Sequence, residues 1–150
     1  MIEHRTKKKV EMDTKSCREL LRNPLRFMEH GNVTFIDHEK DDQYRITFTW
    51  KKFGISRENS FLFTVSENED AIIYQSDRSS PGYFMMNFAI YNDKGSNSLI
   101  SLTARMDTAY LMGDKIVRDE FVETVDEILN EGIKKIEDFD FTTLGKNGRK

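Results

Sequence analysis

The longest run of regularly spaced hydrophobic residues lies near the end of the chain, between Lys115 and Phe139. Hydrophobic side chains recur there every three or four residues with charged residues between them, which is the period of an amphipathic α-helix. The hydrophobic positions are Ile116, Val117, Phe121, Val122, Val125, Ile128, Leu129, Ile133 and Ile136. At about 1.5 Å per residue, such a helix would be roughly 37 Å long and would cross a small domain.

Most of the chain before this helix alternates between hydrophobic and polar residues, as β-strands with one buried face do. Strands are predicted over residues 2–12, 33–39, 44–51, 60–65, 71–76, 83–91 and 98–107. The loop Asn92–Gly95 between the last two strands is typical of a β-hairpin with glycine in the left-handed conformation. Because short polar turns connect most of these strands, the pattern predicts an antiparallel sheet of about seven strands.

Two short helices are predicted between the first and the second strand. Asp13 is a suitable N-cap for one of them, and Asn23 followed by Pro24 caps and begins the other, which should stop at Gly31. Gly113 and Asp114 should precede the long helix. We therefore expect one domain over residues 1–139 and a C-terminal tail over residues 140–150.

Composition narrows the functional classes. The chain has 150 residues, of which 37% are hydrophobic and 33% charged, and its net charge of −3 provides no basic field for nucleic acid. No segment approaches the roughly 18 apolar residues that a membrane span requires, and the N-terminus lacks the apolar centre of a secretory signal. A single cysteine, Cys17, suits a reducing compartment. These features predict a cytoplasmic protein without integral membrane association.

The order of elements (a strand, two short helices, about six antiparallel strands and one long helix) resembles the helix-grip superfamily. This superfamily, also called START-like, birch-pollen-allergen-like or SRPBCC, includes START lipid-transfer domains, polyketide cyclases and Hsp90-activator-like domains. The resemblance covers Ile2 to Phe139 and depends on the order of elements, together with the helix caps and turn residues named above. It extends to a small archaeal branch of the superfamily.

The resemblance implies an α+β fold in which a curved antiparallel sheet wraps around the C-terminal helix. A competing interpretation is the cystatin-like cone, but that fold places its main helices before the sheet. The long helix of this chain comes last, so the helix-grip fold is the better prediction.

Members of the superfamily enclose a cavity between the concave sheet and the last helix, where hydrophobic ligands bind. The corresponding candidate ligand-binding residues here are Tyr44, Phe48, Trp50, Phe61, Phe63, Tyr74, Phe84, Met86, Phe88, Leu102, Met106, Phe121, Val125 and Leu129. Aromatic and methionine side chains suit an irregular apolar ligand. They suit a packed core without a ligand equally well, and the sequence leaves both interpretations open.

Few residues have the spacing of a catalytic or metal site. The histidines are His4, His30 and His38, and none forms a ligand pair with another His, Cys or carboxylate on a helix, so no metal ion is expected. Cys17 has no identifiable base and is interpreted as a buried hydrophobic residue. No glycine-rich phosphate loop is present, and no cofactor or catalytic residue is assigned. An enzyme would have to use Tyr44, Tyr74 or His38.

The polar strand residues Arg45, Asn87 and Arg105 fall opposite the aromatic faces and should lie on the convex side. That side also carries partly apolar positions, which favours self-association as a homodimer. These positions are Tyr83, Met85, Ala89 and Tyr91. Gly132, inside the long helix, indicates either close approach to a neighbouring element or a ligand portal, and close approach is the favoured interpretation.

Three functional hypotheses follow. The first is a binding or carrier protein for a hydrophobic small molecule, such as a lipid, an isoprenoid or a polyketide-like compound. The second is an enzyme of the cyclase or hydratase type that uses the same cavity. The third is a protein-interaction module of the Hsp90-activator type.

Overall fold

All seven predicted strands are present in a computed structural model of the chain, which describes residues 2–29, 31–52, 55–77, 83–107, 118–132 and 134. The strands are β1 (Ile2–Val10), β2 (Val33–Lys40), β3 (Gln43–Lys52), β4 (Ile55–Glu67), β5 (Ala71–Ser76), β6 (Phe84–Asn92) and β7 (Ser98–Met106). They form one antiparallel sheet in the order β1-β7-β6-β5-β4-β3-β2. The first and second strands of the chain are therefore the two edges of the sheet.

The start of β4 corrects the sequence prediction. This strand begins at Ile55 instead of Ser60, because residues 55–64 pair with the whole of β3. The segment 56–60 is polar and has no alternation of hydrophobic residues, so its sequence carries no strand signal. Backbone hydrogen bonds to β3 make this segment a strand, although its side chains show no alternation.

The register of the sheet places the predicted hydrophobic faces side by side. In the pair β6–β7, Phe84 lies opposite Met106 and Phe88 lies opposite Leu102, and all four side chains are buried. A shift of one residue in this register would turn both rows toward the other face of the sheet. The hairpin between these strands has the predicted glycine in the left-handed conformation, with Gly95 at φ +65°.

The two short helices are α1 (Thr14–Leu21) and α2 (Pro24–Phe27). The Asp13 carboxylate accepts a hydrogen bond of 2.7 Å from the Ser16 amide, which lowers the pKa of Asp13, and Asn23 caps α2. The expected end of the second helix at Gly31 is wrong, because the helix stops at Phe27. Phe27 and the following Met28 are both buried, so the chain turns into the core there and does not continue along the surface.

The long helix, here named α3, is described over residues 118–132 and at residue 134, all of which are helical. Its inward stripe consists of Phe121, Thr124, Val125, Ile128 and Leu129, which are buried at the predicted helical spacing. Residues 113–117 and 135–150, which include both predicted helix ends and the predicted tail, lie outside the described residues. None of the described helices is both long enough and apolar enough to cross a membrane.

Three contacts locate α3 on the concave face. The Phe121 ring lies 5.7 Å from the Phe84 ring of the interior strand β6. At one edge of the sheet, His4 Nε2 of β1 donates a hydrogen bond of 2.8 Å to Asp126 Oδ1. Near the other edge, Asn32, which precedes β2, donates a hydrogen bond of 2.7 Å from Nδ2 to Thr124 Oγ1. One helix contacts both edges and an interior strand only if the sheet curves around it.

Gly132 allows α3 to approach the short helix α2. A Cβ atom at position 132 would lie 3.1 Å from Phe27 Cδ2 and 3.6 Å from the Phe27 carbonyl oxygen. The first distance is shorter than an ordinary van der Waals contact. The favoured interpretation of Gly132, a close approach between two elements, is therefore confirmed.

We predict that Gly132→Ala destabilises the protein, although alanine favours a helix interior by about 1 kcal/mol over glycine. The Phe27 ring is enclosed by the rings of Tyr74 and Phe88, at centroid distances of 6.2 and 5.6 Å, and has little room to move. Overpacking of this kind costs about 1–3 kcal/mol. Urea denaturation measures the net change in the free energy of unfolding.

Asn130→Ala is the matched control, because position 130 lies on the same helix and is exposed. That substitution should leave stability unchanged or raise it by a few tenths of a kcal/mol, as expected from helix propensity alone. If Gly132→Ala raises stability by as much as propensity predicts, the approach of α3 to Phe27 is not tight.

Candidate ligand-binding interior

The concave face of the sheet brings together the residues that the sequence predicts as a ligand-binding set. All of them belong to one hydrophobic cluster with the inward face of α3, and all except Tyr44 are buried. The buried members are Phe48, Trp50, Phe61, Phe63, Tyr74, Phe84, Met86, Phe88, Leu102, Met106, Phe121, Val125 and Leu129. Tyr44 is half-buried and packs against the cluster from its rim.

The centre of this cluster is aromatic. The Phe48 ring stacks on Phe84 of β6 at a centroid distance of 4.9 Å and on Trp50 of its own strand at 5.5 Å. Phe61 and Phe63 of β4 meet the Phe84 ring edge-on, at 5.3 and 5.4 Å. Offset-stacked and edge-on contacts of this kind add to the free energy gained from burial. Phe84 therefore connects β3 and β4 to α3 through Phe121.

A second aromatic group lies beneath α2. Tyr74 of β5 contacts both Phe27 and Phe88, and its ring is fully buried. Its hydroxyl donates a hydrogen bond of 2.5 Å to the Leu21 carbonyl at the end of α1. Burial, with a smaller contribution from Tyr44, raises the pKa of Tyr74 well above its ordinary value. The Tyr74 hydroxyl is thus neutral at physiological pH and serves to hold α1 on the sheet.

An open groove of about 460 Å³ lies at the rim of the interior, between the end of α1 and the strands β3 and β4. Its lining residues are Arg22, Asp42, Tyr44, Thr64, Val65, Ser66 and Glu67. Tyr44 stacks on His38 of the edge strand at a centroid distance of 4.5 Å. The exposed His38 donates a hydrogen bond of 2.7 Å from Nε2 to the Asp41 carbonyl.

Charged residues hold one side of this groove. Arg22 donates two hydrogen bonds of 2.9 Å to Glu67, one from Nε and one from Nη2, and Arg18 donates a third of 3.3 Å. Burial alone would raise the pKa of Glu67, but these two guanidinium groups outweigh it and lower that pKa. Glu67 is therefore a structural ion-pair partner and is unsuited to act as a general acid.

Two polar atoms in the interior have no hydrogen-bond partner within the part of the chain that the structure describes. They are Trp50 Nε1 and Asn59 Oδ1, and both atoms are buried. The hydrophobic alternation predicts Trp50 in the lining but not Asn59, because Asn59 lies in the polar segment that carries no strand signal. Only the register, in which Asn59 lies opposite Phe48, shows that it belongs to the concave face.

The remaining sequence candidates that lie within the described residues form no site. Cys17 is buried, and its thiol lies 3.9 Å from the Met12 carbonyl oxygen, as expected for a small hydrophobic residue. His30 lies outside the described residues. Within the described ranges, no three His, Cys, Asp or Glu side chains come together in a way that could hold a metal ion.

The predicted convex residues lie outside the interior. Arg45 pairs with Glu39 at 3.1 Å, and Arg105 pairs with Glu3 at 3.5 Å. Asn87 is partly exposed on the strand β6, between the buried Met86 and Phe88. The placement of all three polar residues on the convex side is confirmed.

Comparison with known proteins identifies the fold. No protein-family model matches the chain, and no curated protein matches it by sequence. Among solved structures, the chain is similar to human STARD10, with a TM-score of 0.66 and 11% identity, covering 99% of this chain and 68% of that one. It is also similar to a START superfamily protein from Mycobacterium smegmatis, with a TM-score of 0.59 and 12% identity, covering 90% and 94% of the two chains.

A third similar structure is the di-domain ARO/CYC protein BexL from the BE-7585A biosynthetic pathway. Its TM-score is 0.55 and its identity 12%, and the match covers 91% of this chain and 49% of BexL. None of these comparisons supports the expected archaeal branch. At such low identity they show the fold alone, and they confirm that this chain has the helix-grip fold of START-like proteins.

Proposed function

We propose that the protein binds a hydrophobic small molecule, such as a lipid, an isoprenoid or a polyketide-like compound, between the concave sheet and α3. One observation carries the proposal: no Asp, Glu, Lys, Arg or His side chain is buried in the described residues. The buried polar side chains there, apart from Tyr74, Trp50 and the partly exposed Asn59, are Thr49, Ser76, Ser98 and Thr124. Such an interior can hold an apolar molecule, and none of its buried side chains is a charged group that could transform it.

Two further observations support binding. Solved structures with the same fold include a START superfamily protein, and the sequence resemblance to START lipid-transfer domains implies a ligand between sheet and helix. The groove beside Tyr44 opens the rim of the hydrophobic cluster to solvent. We propose this groove as the entrance through which the ligand reaches the buried residues of the predicted set.

The enzymatic alternative, of the cyclase or hydratase type, has less support, although BexL shares the fold. It requires an ionisable group that is free to act on a bound molecule. The Tyr74 hydroxyl is bonded to the Leu21 carbonyl, and His38 is exposed at the rim and bonded to the Asp41 carbonyl. Tyr44, half-buried at the groove, is the one sequence candidate left for that role.

The convex face supports a proposal of self-association. Tyr91 is 49% exposed, and Tyr83, Met85 and Ala89 are partly exposed on the same strand or next to it. These side chains form a partly apolar strip, interrupted by Asn87, as at many protein–protein contacts. A homodimer through this strip is favoured over an Hsp90-activator type of module.

A buried Cys17 is compatible with the proposed cytoplasmic location.

We predict that the protein binds the apolar fluorophore N-phenyl-1-naphthylamine, and that Val125→Phe weakens this binding at least about tenfold. The added ring would occupy interior space opposite the sheet, because Val125 is fully buried on α3. A probe fluorescence titration measures the affinity. Native mass spectrometry of protein purified from its own host should also detect a retained apolar molecule.

Glu123→Phe is the control for this experiment, because it adds the same ring at an exposed position of the same helix. Its affinity for the fluorophore should equal that of the wild type. Equal affinity in all three proteins would place the fluorophore outside the interior. Absence of fluorophore binding, together with absence of any retained molecule, would refute the proposed function.

We predict that Tyr74→Phe lowers the free energy of unfolding by about 1–3 kcal/mol, because the buried Leu21 carbonyl loses its hydrogen-bond partner. Fluorophore affinity should stay unchanged, since the hydroxyl bonds to the backbone of α1. Urea denaturation and the fluorescence titration provide the two values. Loss of binding at unchanged stability would mean that the hydroxyl contacts the ligand.

We predict a dimer in sedimentation equilibrium, and a monomer for Tyr91→Lys, because a charge within the apolar strip opposes its burial. Lys94→Glu, at an exposed position in the hairpin loop beyond the end of β6, is the control and should leave the dimer intact. A wild-type protein that stays monomeric at high concentration would contradict the proposal.

A further inference from the structure

The indole nitrogen of Trp50 is the first part of a polar site inside the hydrophobic cluster. Trp50 is 5% exposed, stacks on Phe48, and belongs to the concave face by the alternation of β3. Its Nε1 atom has no hydrogen-bond acceptor among the described residues. Buried indole N–H groups usually have a partner, because an unpaired donor removed from water costs free energy.

Asn59 provides the second part. Asn59 lies directly opposite Phe48 in the antiparallel pair β3–β4, and Trp50 lies opposite Arg57. Trp50 and Asn59 are therefore diagonal neighbours on the same face of the sheet, a separation that long side chains can span together. The buried Asn59 Oδ1 also lacks a partner in the described part of the chain, so the two atoms do not bond to each other.

A donor and an acceptor at diagonal positions of the concave face thus both lack partners and do not satisfy each other. Trp50 Nε1 can only donate, and Asn59 Oδ1 can only accept. A group that satisfies both must accept one hydrogen bond and donate another. A ketone, an ether or a carboxylate has no proton to donate to Asn59 Oδ1. A neutral hydroxyl group meets both requirements.

We infer that Trp50 and Asn59 together bind the hydroxyl group of an otherwise apolar ligand, such as an isoprenoid alcohol or a phenol. In this arrangement the ligand oxygen accepts from Trp50 Nε1, and the ligand hydroxyl proton is donated to Asn59 Oδ1. The inference rests on the proposed function, since it assigns the polar end of the same interior. The aromatic rings of Phe48 and Phe61 then contact the hydrocarbon part of the molecule.

Menthol and menthone are suitable probes, because they share one carbon skeleton and differ in carrying a hydroxyl or a ketone. Isothermal titration calorimetry should show that the wild-type protein prefers menthol about three- to tenfold, the usual value of one net hydrogen bond. Asn59→Leu should remove this preference while the affinity for menthone stays unchanged. Trp50→Phe should lower the affinity for both probes by a similar factor, because the oxygen atom of each probe accepts a hydrogen bond from the indole N–H.

Thr47→Val is the matched control. Thr47 lies on the same strand as Trp50, but its hydroxyl hydrogen-bonds to the Ser60 hydroxyl at 2.7 Å on the convex side. The ratio of menthol to menthone affinity should equal that of the wild type. Asn59→Leu should melt no lower than the wild type, because it removes an unpaired buried acceptor.

A measurement on the unaltered protein tests the same contact. Trp50 is the only tryptophan, so an ¹⁵N-labelled sample gives one indole N–H signal. Hydrogen bonding moves the proton of such a signal downfield, and both probes should cause this shift. An unmoved signal on saturation with menthol would refute the contact with Trp50, whether or not the variants fold.

The outcomes separate this inference from the proposed function. If N-phenyl-1-naphthylamine and both terpenes fail to bind, the proposed function and the inference fail together. If the fluorophore binds but menthol and menthone bind equally or not at all, the inference fails alone. A crystal structure with menthol bound, in which a water molecule and not the menthol hydroxyl bridges Trp50 and Asn59, would also overturn it.

Discussion

The contact of one helix with both edges of a single sheet is the constraint on which this structure depends. β1 reaches α3 through His4 and Asp126, and the turn before β2 reaches it through Asn32 and Thr124. The strand order places β1 and β2 at opposite edges, so these two hydrogen bonds hold the sheet in a curve. The curvature creates a concave face, and the apolar stripe of α3 closes it.

The aromatic core forms where α3 packs against the concave face of the sheet. Phe84 lies where β6 meets α3, and it contacts rings from β3, β4 and the helix. Beneath α2, Gly132 lets the helix approach Phe27, and Tyr74 ties the end of α1 to the sheet. The short helices thus cover one end of the interior. The rim beside Tyr44, by contrast, opens as a groove.

The chemistry of the interior is consistent with holding a molecule. Charged groups lie at the rim, where Arg18 and Arg22 both bind Glu67 and where His38 stacks on Tyr44. The interior itself contains rings, aliphatic side chains and two unpaired polar atoms, Trp50 Nε1 and Asn59 Oδ1. Under the proposed function, such a composition would select a ligand by shape and by one polar group.

The sequence by itself determined the order of elements, the inward faces of most strands and the buried stripe of α3. Residues such as Phe84 and Phe121 follow periods of two and about four residues, and these periods report local backbone geometry. The same patterns predicted the ligand-binding set, whose members form one cluster. The caps at Asp13 and Asn23 were equally visible, because a cap depends only on its adjacent residues.

Only the tertiary structure decided which groups meet across the sheet. The polar segment before Phe61 becomes part of β4 through pairing with β3, and that register brings Asn59 beside Trp50. The early end of α2 results from burial of Phe27 and Met28, and the hydroxyl of Tyr74 is bonded to a residue far away in the chain. Sequence periodicity reports local backbone geometry and carries no information on such long-range partners, so it could outline the interior but not its polar end.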